Sequence, residues 1–83
     1  MRYRLEIGEE ALAQLRALSK ELRCHIGHKL DVLQTDLQGD VKKLAGQDGK
    51  YRLRVGNYRV LFTLEKDLIF VQVVKDRKNA YRN

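Results

Sequence analysis

The stretch Tyr51-Arg52-Leu53-Arg54-Val55-Gly56-Asn57-Tyr58-Arg59-Val60-Leu61-Phe62 decides the fold. On either side of Gly56-Asn57, apolar or aromatic residues alternate with cationic ones at the period of a β-strand, and the dipeptide between them suits a two-residue hairpin turn that admits positive φ. Counting outward from that turn sets Val55 against Tyr58, Arg54 against Arg59, Leu53 against Val60, Arg52 against Leu61 and Tyr51 against Phe62. Two faces separate. Tyr51, Leu53, Val55, Tyr58, Val60, Phe62 and Leu64 share one, which must receive the rest of the core. Arg52, Arg54, Arg59, Leu61 and Thr63 share the other.

Downstream, Leu68 to Val74 reads as a further strand. Taking Lys66-Asp67 as its turn pairs Leu64 with Ile69, Phe62 with Val71 and Val60 with Val73, extending the same apolar face. The opposite face then sets Phe70 beside Thr63, Gln72 beside Leu61 and Val74 beside Arg59, an apolar strip next to a cationic one. Upstream, Tyr3, Leu5 and Ile7 alternate with Arg2, Arg4 and Glu6, giving a first strand over roughly residues 2 to 7. Gly8 opens a helix with Leu12, Leu15 and Leu18 at helical spacing and Glu9 and Glu10 in the dipole-favoured first turn. Ser19 suits the N-cap of a second helix whose stripe is Leu22, Ile26, Leu30, Leu33 and Leu37. The junction admits only a helical hairpin. From Gln38 to Lys50, Gly39, Gly46, Gly49, Asp40 and Asp48 read as a loop pinned by Val41 and Leu44. The expected fold is α+β, in the order β-α-α-β-β-β: an N-terminal strand and a helical hairpin packed on a mainly antiparallel twisted sheet.

Eighty-three residues suffice for one domain, taken as 1–83. With 43% hydrophobic and 34% charged residues and no proline, the composition is that of a globular chain. A single cysteine, Cys24, excludes an intrachain disulfide framework and fits a reducing compartment. No apolar run approaches the roughly 20 residues of a membrane span and no leader pattern precedes the first strand, so the expectation is a cytoplasmic protein without a membrane partner. Cys24, His25 and His28 cluster on the second helix, but a structural zinc takes four ligands and the chain offers no other Cys or His. No metal and no cofactor is expected. The net charge of +6 is unevenly placed: residues 1–41 carry six Lys or Arg against seven Asp or Glu, and residues 42–83 carry eleven against four. Such a one-sided field favours a polyanionic partner.

Arg54 and Arg59, directly opposed, repel across the sheet by a few tenths of a kcal/mol up to about 1 kcal/mol. Either they splay into water or an anion lies between them. Convergence of Arg52, Arg77 and Tyr81 on the same region favours the anion, since guanidinium groups fork onto phosphate oxygens.

The run Lys42-Lys43-Leu44 before Gly46, the hairpin Tyr51 to Phe62, and the ending Lys75-Asp76-Arg77-Lys78-Asn79-Ala80-Tyr81-Arg82 together resemble the RelE/ParE toxin superfamily of type II toxin–antitoxin modules. The likeness spans almost the whole chain, and the RelE-like branch is favoured because the basic residues are retained as a set. The resemblance implies a ribosome-dependent endoribonuclease that cuts messenger RNA by attack of a 2′-hydroxyl on the adjacent phosphodiester, inhibiting translation. By position, Arg52 and Arg54 would form the basic pair of the second strand, Arg59 the arginine of the third and Arg77 that after the fourth. Tyr81 would be the tyrosine that stacks on a base, and Lys42, Lys43, Lys50, Lys75, Lys78 and Arg82 would bind RNA. Arg77 and Tyr81 also admit plain readings, as a tail salt bridge and as a ring over the sheet edge.

The chain departs from the family pattern, which has lysines where Arg52 and Arg54 stand. Arginine is a poor general base because its pKa exceeds about 12. Lys50, Lys75 or Tyr81 would then take the proton, or the ribosome would align the RNA closely enough that no strong base is needed. The implied partners are the ribosome, messenger RNA and a cognate antitoxin with an acidic or amphipathic C-terminal segment. Two alternatives share the fold: a ParE-like inhibitor of DNA gyrase acting by protein binding, and an inactive homologue that binds only its antitoxin.

Overall fold

The computed structural model describes residues 2–46 and 49–76. The elements run β1 (Arg4–Ile7), α1 (Glu9–Arg16), α2 (Lys20–Asp36), β2 (Asp40–Lys43), β3 (Lys50–Val55), β4 (Tyr58–Glu65) and β5 (Leu68–Asp76). The five strands form one sheet in the order β1-β5-β4-β3-β2, with β1 parallel to β5 and every other pair antiparallel. The α+β architecture of an N-terminal strand, a helical hairpin and a mainly antiparallel sheet is the one read from the sequence.

Alternation dictates which face is covered. Leu53, Val55, Val60, Phe62, Ile69, Val71 and Val74 project from the inner face and are buried together with Ala11, Ile26, Leu30 and Leu33 of the helices. Tyr51 stacks on Phe62 there, ring centroids 5.6 Å apart at 15°. α1 packs along β5 and α2 along β3. Ser19 caps α2 as expected, its hydroxyl oxygen accepting from the Leu22 N–H at 3.3 Å. The α1 stripe differs from expectation: Ala11 is its fully buried residue, whereas Leu12 faces outward and Leu15 and Leu18 are half-buried. Helix α2 stops one residue short of Leu37, which adopts a left-handed φ of 54° as the C-cap and still packs against the core.

Gly8 joins β1 to α1 under a tight constraint. Its N–H donates to the Val71 carbonyl at 2.8 Å, and a Cβ there would lie 3.0 Å from the Phe70 ring. β1 ends at Ile7, opposite Val71, so β5 runs on past it with one edge bare. The Val74 N–H lies beyond that end and donates to Gln14 Oε1 of α1 at 2.6 Å. A helix side chain thus finishes the ladder that β1 leaves open.

The hairpin around Gly56 has the register read from the sequence, residue for residue, with Gly56 at φ 58°. The second hairpin agrees at its turn end, pairing Leu64 with Ile69, Thr63 with Phe70 and Phe62 with Val71, and then departs. A β-bulge lies between Leu61 and Phe62: Leu61 faces Val73, Val60 faces Val74 and Arg59 faces Lys75. The expected pairs Val60 with Val73, Gln72 with Leu61 and Val74 with Arg59 do not form. Gln72 is the extra residue of the bulge, and accommodating it turns Val74 inward and brings Lys75 to the outer face.

The segment read as a loop contains an element. Asp40–Lys43 forms a short edge strand on β3, with Asp40 opposite Arg54, Val41 opposite Leu53 and Lys42 opposite Arg52. Among the described residues, no helix is long and apolar enough to cross a membrane.

Candidate functional site

The outer face of the sheet gathers the cationic residues in two rows. Arg52 and Arg54 stand two residues apart on β3, on one face and roughly 7 Å apart along the strand. Crossing the sheet at Arg54, the row reads Asp40, Arg54, Arg59, Lys75; crossing at Arg52 it reads Lys42, Arg52, Leu61, Val73. Between β2 and β4 lies an open groove of about 340 Å³. Lys42, Lys43, Arg52, Arg54 and Arg59 supply its charge, and Leu44, Ala45 and Leu61 the apolar part of its lining.

The Asp40 carboxylate answers part of this charge. Arg54 Nε–H donates to Asp40 Oδ2 at 2.8 Å, and Arg52 Nη1 lies 3.7 Å from Asp40 Oδ1. The Arg54 hydrogen bond, helped by the charges of both guanidinium groups, holds the Asp40 carboxyl below its ordinary value of 3.8. The Arg52 side chain is only 14% exposed, while those of Arg54 and Asp40 are 45% and 48% exposed. Packing along its stem therefore fixes Arg52 more firmly than its neighbour.

Of the residues singled out from the sequence, the groove collects Arg52, Arg54, Arg59, Lys42 and Lys43. Lys75 joins the same face opposite Arg59, which the expected register would not have allowed. Lys50 lies on that face one pair further along β3, opposite Thr63 and outside the groove lining. Arg77, Lys78, Tyr81 and Arg82 lie outside the described residues. Asp40 was missed. Its signal was the run Asp40-Val41-Lys42, charged, apolar, charged, but four residues among glycines are too brief to outweigh a loop signature. Cys24, His25 and His28 are exposed on α2, and no group of three or more metal-ligating side chains gathers among the described residues.

No family model matches the chain. It is 28% identical over its whole length, and over 99% of the relative, to a candidate RelE toxin of Methanocaldococcus jannaschii. A second RelE toxin of that organism is 44% identical over 46 residues, 55% of this chain and 52% of the relative. The archaeal RelE–RelB complex from Pyrococcus horikoshii contains a chain that superposes with a TM-score of 0.80 at 27% identity, over all of both chains. In both sequence and fold the chain is similar to the RelE toxins over its whole length. Other solved RelE structures agree: the isolated Escherichia coli RelE toxin aligns at TM-score 0.78 and 26% identity, over 89% of this chain and 83% of that one. A RelB–RelE antitoxin–toxin complex from Methanococcus jannaschii aligns at 0.78 and 28%, over 90% and 93%. On this RelE-like sheet, the groove between β2 and β4 is where Arg54 and Arg59 of one row meet Lys42 and Arg52 of the other.

Proposed function

We propose that this chain is the toxin of a toxin–antitoxin pair and that it cleaves messenger RNA on the translating ribosome. The observation that carries the reading is the groove itself, where three guanidinium and two ammonium groups surround one opening on the outer face. The known RelE relatives lend their name to the toxin role, and the complexes with RelB lend the antitoxin partner.

The reaction is attack of a ribose 2′-oxygen on the adjacent phosphorus. The P–O5′ bond breaks, leaving a 2′,3′-cyclic phosphate on one fragment and a 5′-hydroxyl on the other; one proton leaves the 2′-hydroxyl and one reaches the departing 5′-oxygen. Arg52, Arg54 and Arg59 stabilise the extra negative charge of the phosphorane, the electrostatic part of such catalysis. Lys42 and Lys43 hold flanking phosphates, and Lys75 widens the field beside Arg59. Arginine does not take the proton. Alignment by the ribosome supplies much of the remaining rate, as holding two reacting groups in line is worth several kcal/mol of barrier.

The antitoxin fits the same face. An acidic amphipathic segment would set its carboxylates on the groove cations and its apolar side on half-buried Leu61, Phe70 and Val73. The test is induction of the protein in cells followed by sequencing of RNA ends, with a gyrase supercoiling assay beside it. Discrete cuts at a fixed place within codons are expected. Intact messenger RNA with inhibited supercoiling would replace this reading by the gyrase one, and inactivity in both would leave a chain that binds only its antitoxin.

A further inference from the structure

The groove holds an anion of its own. Asp40 bridges two arginines of the neighbouring strand, one oxygen accepting from Arg54 Nε at 2.8 Å and the other lying 3.7 Å from Arg52 Nη1. A phosphodiester offers nearly the same chemistry: two equivalent oxygens sharing one negative charge, matched to guanidinium forks. The Asp40 carboxylate therefore offers the two arginines the same kind of ligand as a backbone phosphate.

We propose that Asp40 is an internal competitor anion, which keeps Arg52 and Arg54 paired in the free protein and yields them to one phosphodiester of a bound RNA strand. This rests on reading the groove as a phosphate site. Three features make the exchange workable. The Asp40–Arg54 pair is about half exposed, and exposed ion pairs are weak, so a ligand engaging several cations at once displaces the carboxylate. Asp40 is the first residue of a four-residue edge strand, held by the sheet on one side only, so its side chain can leave without disturbing the core. Arg52, largely covered, stays in place after the carboxylate departs.

The consequence is selectivity. A lone phosphate has to outcompete a carboxylate already tethered to the arginines, whereas a strand that also reaches Lys42 and Lys43 draws on further cations of the same groove. Asp40 acts on binding and not as the proton acceptor, because a carboxylate with both oxygens facing guanidinium groups is a weak base.

The experiment compares the wild-type chain with Asp40→Asn, Asp40→Ala and, as a control for net charge, Asp31→Asn on the exposed side of α2. Binding of a labelled single-stranded RNA and of inorganic pyrophosphate is measured at about 0.1 M salt, with urea stability alongside. Both Asp40 variants are expected to bind RNA roughly threefold to tenfold more tightly than wild type, and Asp31→Asn less than about twofold. Asp40→Asn should at the same time be less stable to urea. A purely structural Asp40 would lower both affinity and stability; unchanged or weaker binding of both ligands by the Asp40 variants overturns the proposal. Should the variants fail to fold, the Arg54 Nε–Hε resonance of the wild type serves instead, since exchange requires it to move when pyrophosphate is added and its constancy would refute exchange. Tighter binding by the variants, with no cleavage on ribosomes by wild type, would leave the exchange standing and remove the nuclease reading.

Discussion

Deleting Gln72 from β5, inside the sheet, should be tolerated, while deleting its neighbour Val71 should not. Phe62 faces Val71 and Leu61 faces Val73, so Gln72 has no partner of its own in the β4–β5 ladder. Its removal leaves Val71, Val73, Val74 and Lys75 opposite the same β4 residues, now in an unbroken ladder. β1 pairs only as far as Val71, so its register is untouched. The expected cost is within about 1 kcal/mol, mostly from altered twist. Removing Val71 instead draws Gln72 into a fully buried position against Phe62. That forfeits about 1.5–3 kcal/mol of valine burial and adds about 1–3 kcal/mol for an amide without partners. The total of roughly 3–6 kcal/mol is comparable with the whole stability of a chain this size, about 4–12 kcal/mol. Urea denaturation followed by circular dichroism checks both variants. Equal destabilisation by the two deletions would refute the assignment of Gln72 as the inserted residue, and with it the account of how Lys75 comes to lie beside Arg59.

Further outcomes follow from single side chains. Arg59→Ala removes a guanidinium that faces Arg54 on one side and Lys75 on the other, so cleavage on ribosomes should fall by about a hundredfold or more; a variant that unfolds in urea titrations far below wild type would make Arg59 a structural residue. Lys66 takes φ 58° in the β4–β5 turn, a conformation that disfavours side chains with a Cβ, so Lys66→Gly should stabilise by about 1 kcal/mol in urea titrations. The Asp40 carboxyl is held below its ordinary 3.8, so the stability it contributes is present above that value and is lost as pH falls through the lowered one. Asp40→Asn should accordingly flatten the acid limb of urea midpoints measured from about pH 5 downward, and parallel acid limbs for variant and wild type would count against the pairing.

The hairpin from Tyr51 to Phe62 was legible because three independent signals agree there: the alternation, a turn dipeptide containing glycine, and the apolar face the register creates. The helix pair was legible for the same reason, with Ser19 at the cap and Ile26, Leu30 and Leu33 at helical spacing. What escaped has a common cause. The β-bulge at Gln72 leaves no mark in a run of alternating valines, because Val73 and Val74 are equally suited to either face. Leu12 and Ala11 exchanged places for a similar reason: the side that faces β5 is set by how Gly8 seats against Phe70 and Val71, a tertiary constraint.

Two of the features that escaped, β2 and the bulge, are the ones that build the groove. β3 and β4 alone present Arg52, Arg54 and Arg59 on an open surface, where opposed like charges only repel. β2 gives that surface a wall bearing Lys42 and Lys43 and a carboxylate that orders the arginines, and the bulge delivers a further cation from the other side. Four positive side chains on three adjacent strands would splay apart without an intervening anion, and the Asp40 carboxylate answers two of them. The arginine face is therefore less a property of the hairpin that carries it than of the two strands flanking it, and substitutions in Asp40–Lys43 should alter polyanion binding as strongly as those at Arg54.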